Sequence, residues 1–272
     1  MSIITLLTDF GLEDEYVGVV KGVILSIHPS AGIVDITHQL SPHDLTGAAL
    51  TLGAAYPYFP KRTVHMVVVD PGVGSSRRIV GLEAGEHVFI APDNGVLTRV
   101  LDEEHVERAV SIEQTGYFLD SVSRTFHGRD VFAPVAARLA AGLDLGELGP
   151  SIDPREDMVR LEMTQPYVTS EGRLMGEVMM TDRFGNLMTN IKPGDVQSFL
   201  RRTGAERIDI RIGSGEIRGV SDCYACVALH QPLCIIGSRG YLEISVNGGS
   251  AAEYFKAGKK EPVRILPVGN EC

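Results

Sequence analysis

Apolar positions follow two rhythms along this chain. In the first half, short unbroken apolar runs alternate with stretches at helical spacing. Ile3 to Leu7, Gly32 to Ile36 and Thr63 to Val69 read as buried strands. Glu15 to Ile27 carries its apolar residues at helical spacing. In "SPHD", Ser41 is placed to cap a second helix, with Pro42 at its first position and Asp44 as the capping acid. That helix is expected to run to about Tyr56. Arg129 to Ala141 reads as a further helix, ended by Gly142. The order strand–helix–strand–helix–strand predicts an α/β N-terminal domain with a central, mainly parallel sheet.

From about Gly149 the texture changes. "GPSIDPRED" is rich in proline and charge and reads as a linker. Beyond it, "ERIDIRI" and "YLEISVN" alternate apolar and polar residues, as half-buried strands do. Glycine-rich turns separate them, and helix candidates are few. The expected division is an α/β domain over residues 1–150, a linker over 151–168 and an all-β, barrel-like domain over 169–272.

Composition narrows the function classes. The chain has 272 residues, enough for about two domains. Its formal net charge of −10 argues against nucleic-acid partners, because an acidic chain repels a phosphate backbone. Neither a basic, apolar leader nor a run near the ~20 apolar residues of a membrane span is present, so a cytoplasmic location is expected. Cys223, Cys226, Cys234 and Cys272 crowd the last quarter, unlike a disulfide framework.

Candidate chemistry sits at strand ends and turns. Asp9 follows the first strand in "LLTDFG", and Asp70 follows the third in "VVVDPG". Open parallel sheets bind ligands at these carboxyl ends, although an acid beside glycine or proline also simply makes a turn. "GVGSSRR" lacks the third glycine of a dinucleotide loop and the Gly-Lys-Ser/Thr ending of a P-loop. "RTFHGRD" sets His127 in a loop between two arginines, ahead of a predicted helix. Asp, Arg and His together suit the holding and deprotonation of a water. Metalloprotease histidine spacings are absent, and no metal is expected. "CYAC" admits zinc or redox chemistry, but it has no second C-x-x-C, and free cysteines pack well in apolar cores. "DRFGNLMTN" joins an acid, an aromatic and an amide at a turn. The Ser and Arg of "GSRGYLEISVNGG" suit a carboxylate. Each of these also reads as an ordinary polar turn.

Six motifs occur in order from end to end: "LLTDFG", "VDPGVGS..R", "APDNG", "TFHGRDVFAPVAA", "D.FGNL.TN" and "GS.GYLEI.VNGG". Together they resemble the S-adenosyl-L-methionine (SAM) hydrolases that form adenosine, the SAM hydroxide adenosyltransferases, relatives of the fluorinases and chlorinases. The resemblance implies a homotrimer. Its active sites would lie between the N-terminal domain of one subunit and the C-terminal domain of the next. It implies that water attacks the ribose C5′ of SAM and that no cofactor takes part. Asp70, Arg77 and His127 would hold the water. Asp9 would take the ribose hydroxyls, and Asn186 would read adenine with Phe184 and Tyr224 packing near it. Asn247 would lie close to the base. Asp182 would face the methionine ammonium, and Ser238 and Arg239 its carboxylate. Asp14 would lie near the methionine end, where "EDEY" departs from the halogenase pattern. His43, a further substrate-binding candidate, stands where fluorinase-type enzymes carry a tryptophan against the ribose. Those relatives also place a tyrosine at the position of Asp70, and a carboxylate there repels halide. The alternatives are a SAM- or adenosine-binding protein without turnover, and a halogenase.

Overall fold

The computed structural model describes residues 2–268, so Cys272 lies outside the described residues. The chain divides into two compact units, Met1–Glu162 and Met163–Cys272.

The first unit is built on one sheet. Its strands are β1 (Ile3–Thr8), β2 (Gly32–Thr37), β3 (Val64–Val68), β4 (Ile79–Ala84), β5 (His87–Pro92) and β6 (Val106–Ser111), in the spatial order β2-β1-β3-β5-β4-β6. β1, β2, β3 and β5 run parallel, and β4 is antiparallel to both its neighbours. Side chains alternate across this sheet. Val64, Met66 and Val68 face one core, with α1 (Tyr16–Ile27) and α4 (Ala133–Ala140) over it. Val67 and Val69 face another, under α2 (Leu45–Ala55) and α3 (Thr98–Glu103). Burial on both faces is why these strands read as unbroken apolar runs.

The second helix begins later than expected. Its cap is Asp44, whose carboxylate accepts from the Gly47 N–H at 2.9 Å, rather than Ser41. The cause is His43, which takes a left-handed φ of 64° and turns the chain before the helix can start. The predicted helix over Arg129 to Ala141 opens with a wide π-type turn, Gly128–Phe132, and continues as α4.

Several buried polar groups inside this unit are paired. His65 is fully buried on β3; its Nδ1 meets the Thr5 hydroxyl at 2.7 Å and its Nε2 lies 3.3 Å from His87 Nδ1. Its ring stacks on Phe89. Burial, and then the neighbouring His87, pushes the His65 pKa down to about 3, so the ring is neutral in the folded protein at pH 7.

The second unit holds one antiparallel sheet in the order β11-β10-β14-β8-β9-β13-β12. Its strands are β7 (Tyr167–Val168, paired with β8), β8 (Leu174–Thr181), β9 (Leu187–Thr189), β10 (Arg207–Ile212), β11 (Gly215–Arg218), β12 (Pro232–Ile236), β13 (Leu242–Val246) and β14 (Pro262–Val268). A bridge between Ser221 and Ile235 brings its two ends together, so the sheet is nearly closed and barrel-like. Ile208, Ile210, Ile212, Val263 and Ile265 point into its core with Phe199 of α5 (Pro193–Thr203). Helix α5 is not expected from the strand-like patterning, yet it carries Pro193 at its first turn and Gly204 in a left-handed C-cap. A short helix, α6 (Ala251–Phe255), follows β13.

Candidate active site

The first sheet fixes where chemistry gathers in its unit. From β1 the chain crosses to β2 on one side and later returns to β3 on the other, so strand order reverses between β1 and β3. At such a reversal the connections leave in opposite directions and open a crevice beyond the carboxyl ends of the strands. Thr8 pairs with Val68 at those ends, and Asp9 and Asp70 follow them.

The loop after Asp70 doubles back upon it. The Val73 N–H donates to the Asp70 carbonyl and the Ser75 N–H to that of Gly72, while the Ser75 hydroxyl accepts from the Arg77 N–H at 3.2 Å. These turns return the Arg77 side chain onto Asp70. Arg77 Nε donates to both carboxylate oxygens at 2.9 Å, and its Nη2 donates to Oδ2. The side chains are only 10% and 5% exposed, which makes this a buried ion pair. The Arg77 guanidinium also lies 5.8 Å from the Phe132 ring centre. Gly74, with a φ of 74°, lets the loop touch the stretch before His127, where an added Cβ would lie 2.1 Å from the Arg124 carbonyl oxygen.

His127 completes the chain. Arg77 Nη2 donates to His127 Nδ1 at 3.0 Å. A guanidinium only donates, so Nδ1 accepts and the ring proton belongs on Nε2. Burial, and then the Arg77 charge, holds His127 below the ordinary imidazole pKa. The neutral tautomer thus presents an Nε2–H donor, and Asp70 remains the acceptor. Oδ1, bonded only through Nε, keeps the freer lone pair.

Asp9 is held from two sides. Its Oδ2 accepts from the His43 N–H at 2.8 Å, while the His43 side chain is 67% exposed. His43 reaches Asp9 through its main-chain N–H, and its ring Nδ1 lies 4.0 Å from the same oxygen. The turn bearing Asp9 is fixed by His38: Nδ1 meets the Thr8 hydroxyl at 2.8 Å, and the His38 carbonyl accepts from the Gly11 N–H at 2.8 Å. His38 Nε2 lies 3.1 Å from Asp35, out of line for a hydrogen bond. Asp14 is exposed just before α1.

The other candidates belong to the second unit. Asp182 accepts at Oδ1 from the Phe184 and Asn186 N–H groups, and at Oδ2 from the Asn186 side-chain amide. Both its oxygens thus order their own turn, which leaves Phe184 77% exposed. Tyr224 donates to Glu243 at 2.8 Å; burial first, and then this bond, raise its hydroxyl pKa to about 12. Asn247 donates to the Val227 carbonyl at 2.9 Å. Ser238 and Arg239 are exposed on the turn after β12, and Arg239 Nη1 lies 2.9 Å from the Met180 sulfur. A cavity of about 920 Å³ opens beside α5 and β10, but none of the candidate residues lines it.

Two supports escaped the sequence reading. One is His38. The other is Asn94, whose amide donates to the Val69 carbonyl at 2.8 Å and so anchors the residue before Asp70. The Asn-Gly pair in "APDNG" signalled only a turn, since the acceptor is remote in sequence.

The first unit is thus an α/β sheet with an acid–arginine–histidine chain beyond its strand ends, and an antiparallel, barrel-like unit follows it in sequence. Family models for the SAM hydroxide adenosyltransferase N-terminal and C-terminal domains match residues 4–149 and 176–264. The chain belongs to the SAM hydroxide adenosyltransferase family. It is 40% identical to an (R)-S-adenosyl-L-methionine hydrolase of Thermus thermophilus, covering 96% of this chain and 98% of that one. A protein of the same name from Salinispora tropica is 35% identical over 96% of this chain and 97% of its own length. A fluorinase of Actinoplanes sp. is 29% identical over 92% of each chain. The crystal structure of an uncharacterized conserved protein from Thermotoga maritima superposes with a TM-score of 0.86 at 39% identity, covering 97% of this chain and 99% of that one.

Proposed function

We propose that this protein hydrolyses SAM to adenosine and L-methionine. The Asp70–Arg77–His127 chain carries the reading, together with full-length similarity to hydrolases of that name. Water attacks the ribose C5′, the C5′–sulfur bond breaks, and methionine leaves as a neutral thioether. The sulfonium is already a good leaving group, so the protein's task is to align the nucleophile and take its proton. Asp70 accepts that proton. The Nε2–H of His127 donates to the water oxygen and fixes its direction. Arg77 binds both and holds them in register. A buried carboxylate at this position disfavours a halide nucleophile, which supports hydrolysis over halogenation.

The remaining roles follow the same reading. Asp9 accepts from the two ribose hydroxyls. Phe184, Asn186, Tyr224 and Asn247 take the adenine, and Asp14, Asp182, Ser238 and Arg239 the methionine end. Asp182 is already engaged in its own turn, so its approach to an ammonium uses the outer lone pairs. We extend the proposal to a homotrimer whose sites form between neighbouring subunits, and to a cytoplasmic location. Among the described residues, no helix is long and apolar enough to cross a membrane.

Hydrolysis in water labelled with heavy oxygen tests the bond that forms. The label is expected at the 5′-oxygen of adenosine, with none in methionine. Unlabelled adenosine would contradict attack by water at C5′.

A further inference from the structure

The cysteines are not alike. Cys234 is fully buried on β12, and burial raises its thiol pKa, which makes it inert. Cys223 and Cys226 are both exposed. They bracket Tyr224 and Ala225 in a turn that the Cys226 N–H closes by donating to the Cys223 carbonyl at 3.2 Å. Such a turn keeps its first and fourth Cα atoms within about 7 Å, overlapping the span that a disulfide bridges. Packing explains Cys234, but not two adjacent exposed thiols.

We propose that Cys223 and Cys226 form a thiol–disulfide exchange site, which low-molecular-weight disulfides oxidise to an intramolecular bridge. Either cysteine can attack first as its thiolate; with Cys226 leading, it attacks one sulfur of the small disulfide. One small thiol leaves, and a mixed disulfide forms on Cys226. Cys223 then loses its proton and attacks the Cys226 sulfur, which expels the second small thiol. Two protein thiols become one disulfide, and one small disulfide becomes two thiols. Exposed bridges of this kind are readily reduced again.

The site bears on function through Tyr224, and this part rests on the adenine placement proposed above. Bringing the sulfurs to a bond length of about 2.05 Å tightens the turn. Tyr224 lies inside it and is tied to Glu243, while Asn247 holds the next carbonyl at Val227. Closing the bridge is expected to pull Tyr224 from its setting and raise the KM for SAM several-fold, with kcat little changed.

The test uses the full chain with Cys272→Ser, titrated with oxidised glutathione and mapped by peptide mass spectrometry. The expected result is a peptide spanning Cys223 and Cys226 that loses the mass of two hydrogens and regains it with dithiothreitol. Cys223→Ser should instead stop at a glutathione adduct on Cys226. Thiols that remain equally alkylatable after oxidant, or adducts that accumulate on both cysteines of the unsubstituted pair, would overturn the exchange site. A bridge that forms without moving KM would support the exchange site and remove Tyr224 from the substrate, so the two ideas fail separately.

Discussion

Replacing Asp70 by asparagine keeps the shape of the side chain and removes its charge. The effect on stability follows from the burial of the pair, with Arg77 10% and Asp70 5% exposed. Removing one partner leaves a buried guanidinium uncompensated, which costs about 3–5 kcal/mol. For a unit of this size each kcal/mol lowers Tm by about 2–4 °C, so a fall of roughly 6–20 °C is expected. The effect on rate has a different origin. Loss of the proton acceptor should slow hydrolysis by about 10²–10⁴-fold. The two effects separate in a double variant, Asp70→Asn with Arg77→Met. With both charges gone, most of the lost Tm should return, because replacing a whole buried pair is often nearly neutral. The rate should not return. Calorimetry gives Tm, and single-turnover assays with SAM, well below the lowest Tm, give the rate. An Asp70→Asn protein that is destabilised yet hydrolyses SAM at the unsubstituted rate would refute the reasoning, as would a double variant that recovers both.

Three further outcomes follow from the same structure. Because His127 is held below the ordinary imidazole pKa and acts neutral, the rate should stay level as pH falls to about 6.5 and drop only below it; an acid limb at or above that value in kcat/KM would count against the neutral tautomer. His65 binds a proton more readily when unfolded, with a pKa moving from about 3 to 6.5, so stability should be full above 6.5 and fall as pH drops through that interval, by at most roughly 5 kcal/mol; denaturant titrations across it should show the slope, and His65→Phe should flatten it. His38→Gln loses the Thr8 contact while His38→Asn can keep it, so adenosine affinity by calorimetry should fall about five-fold in the first and hold in the second, with equal loss in both rejecting His38 as the support of Asp9.

Much of the first unit was legible because its signals are local. Asp9 and Asp70 announce themselves as acids closing apolar runs, and strand order places those ends at the sheet's reversal. The return of Arg77 onto Asp70 is also local, made by turns within "DPGVGSSR". The joining of His127 to them is not, since it depends on Gly74 packing against a carbonyl fifty residues away in sequence. The same limit hid Asn94 and His38, whose partners lie on other strands and loops. The error at Ser41 arose because nothing in "SPHD" declares a left-handed His43. In the second unit, packing was the right reading for Cys234 and the wrong one for Cys223 and Cys226, because residue type alone does not say which way a turn faces.

The central claim is that this chain converts SAM and water into adenosine and methionine through Asp70. The most direct measurement incubates the purified protein with SAM, with and without chloride, and resolves the products by chromatography beside the Asp70→Ala variant. The account predicts adenosine and methionine in equal amounts, unaffected by chloride and lost in the variant. A 5′-chloro nucleoside, or SAM retained intact on the protein, would contradict it.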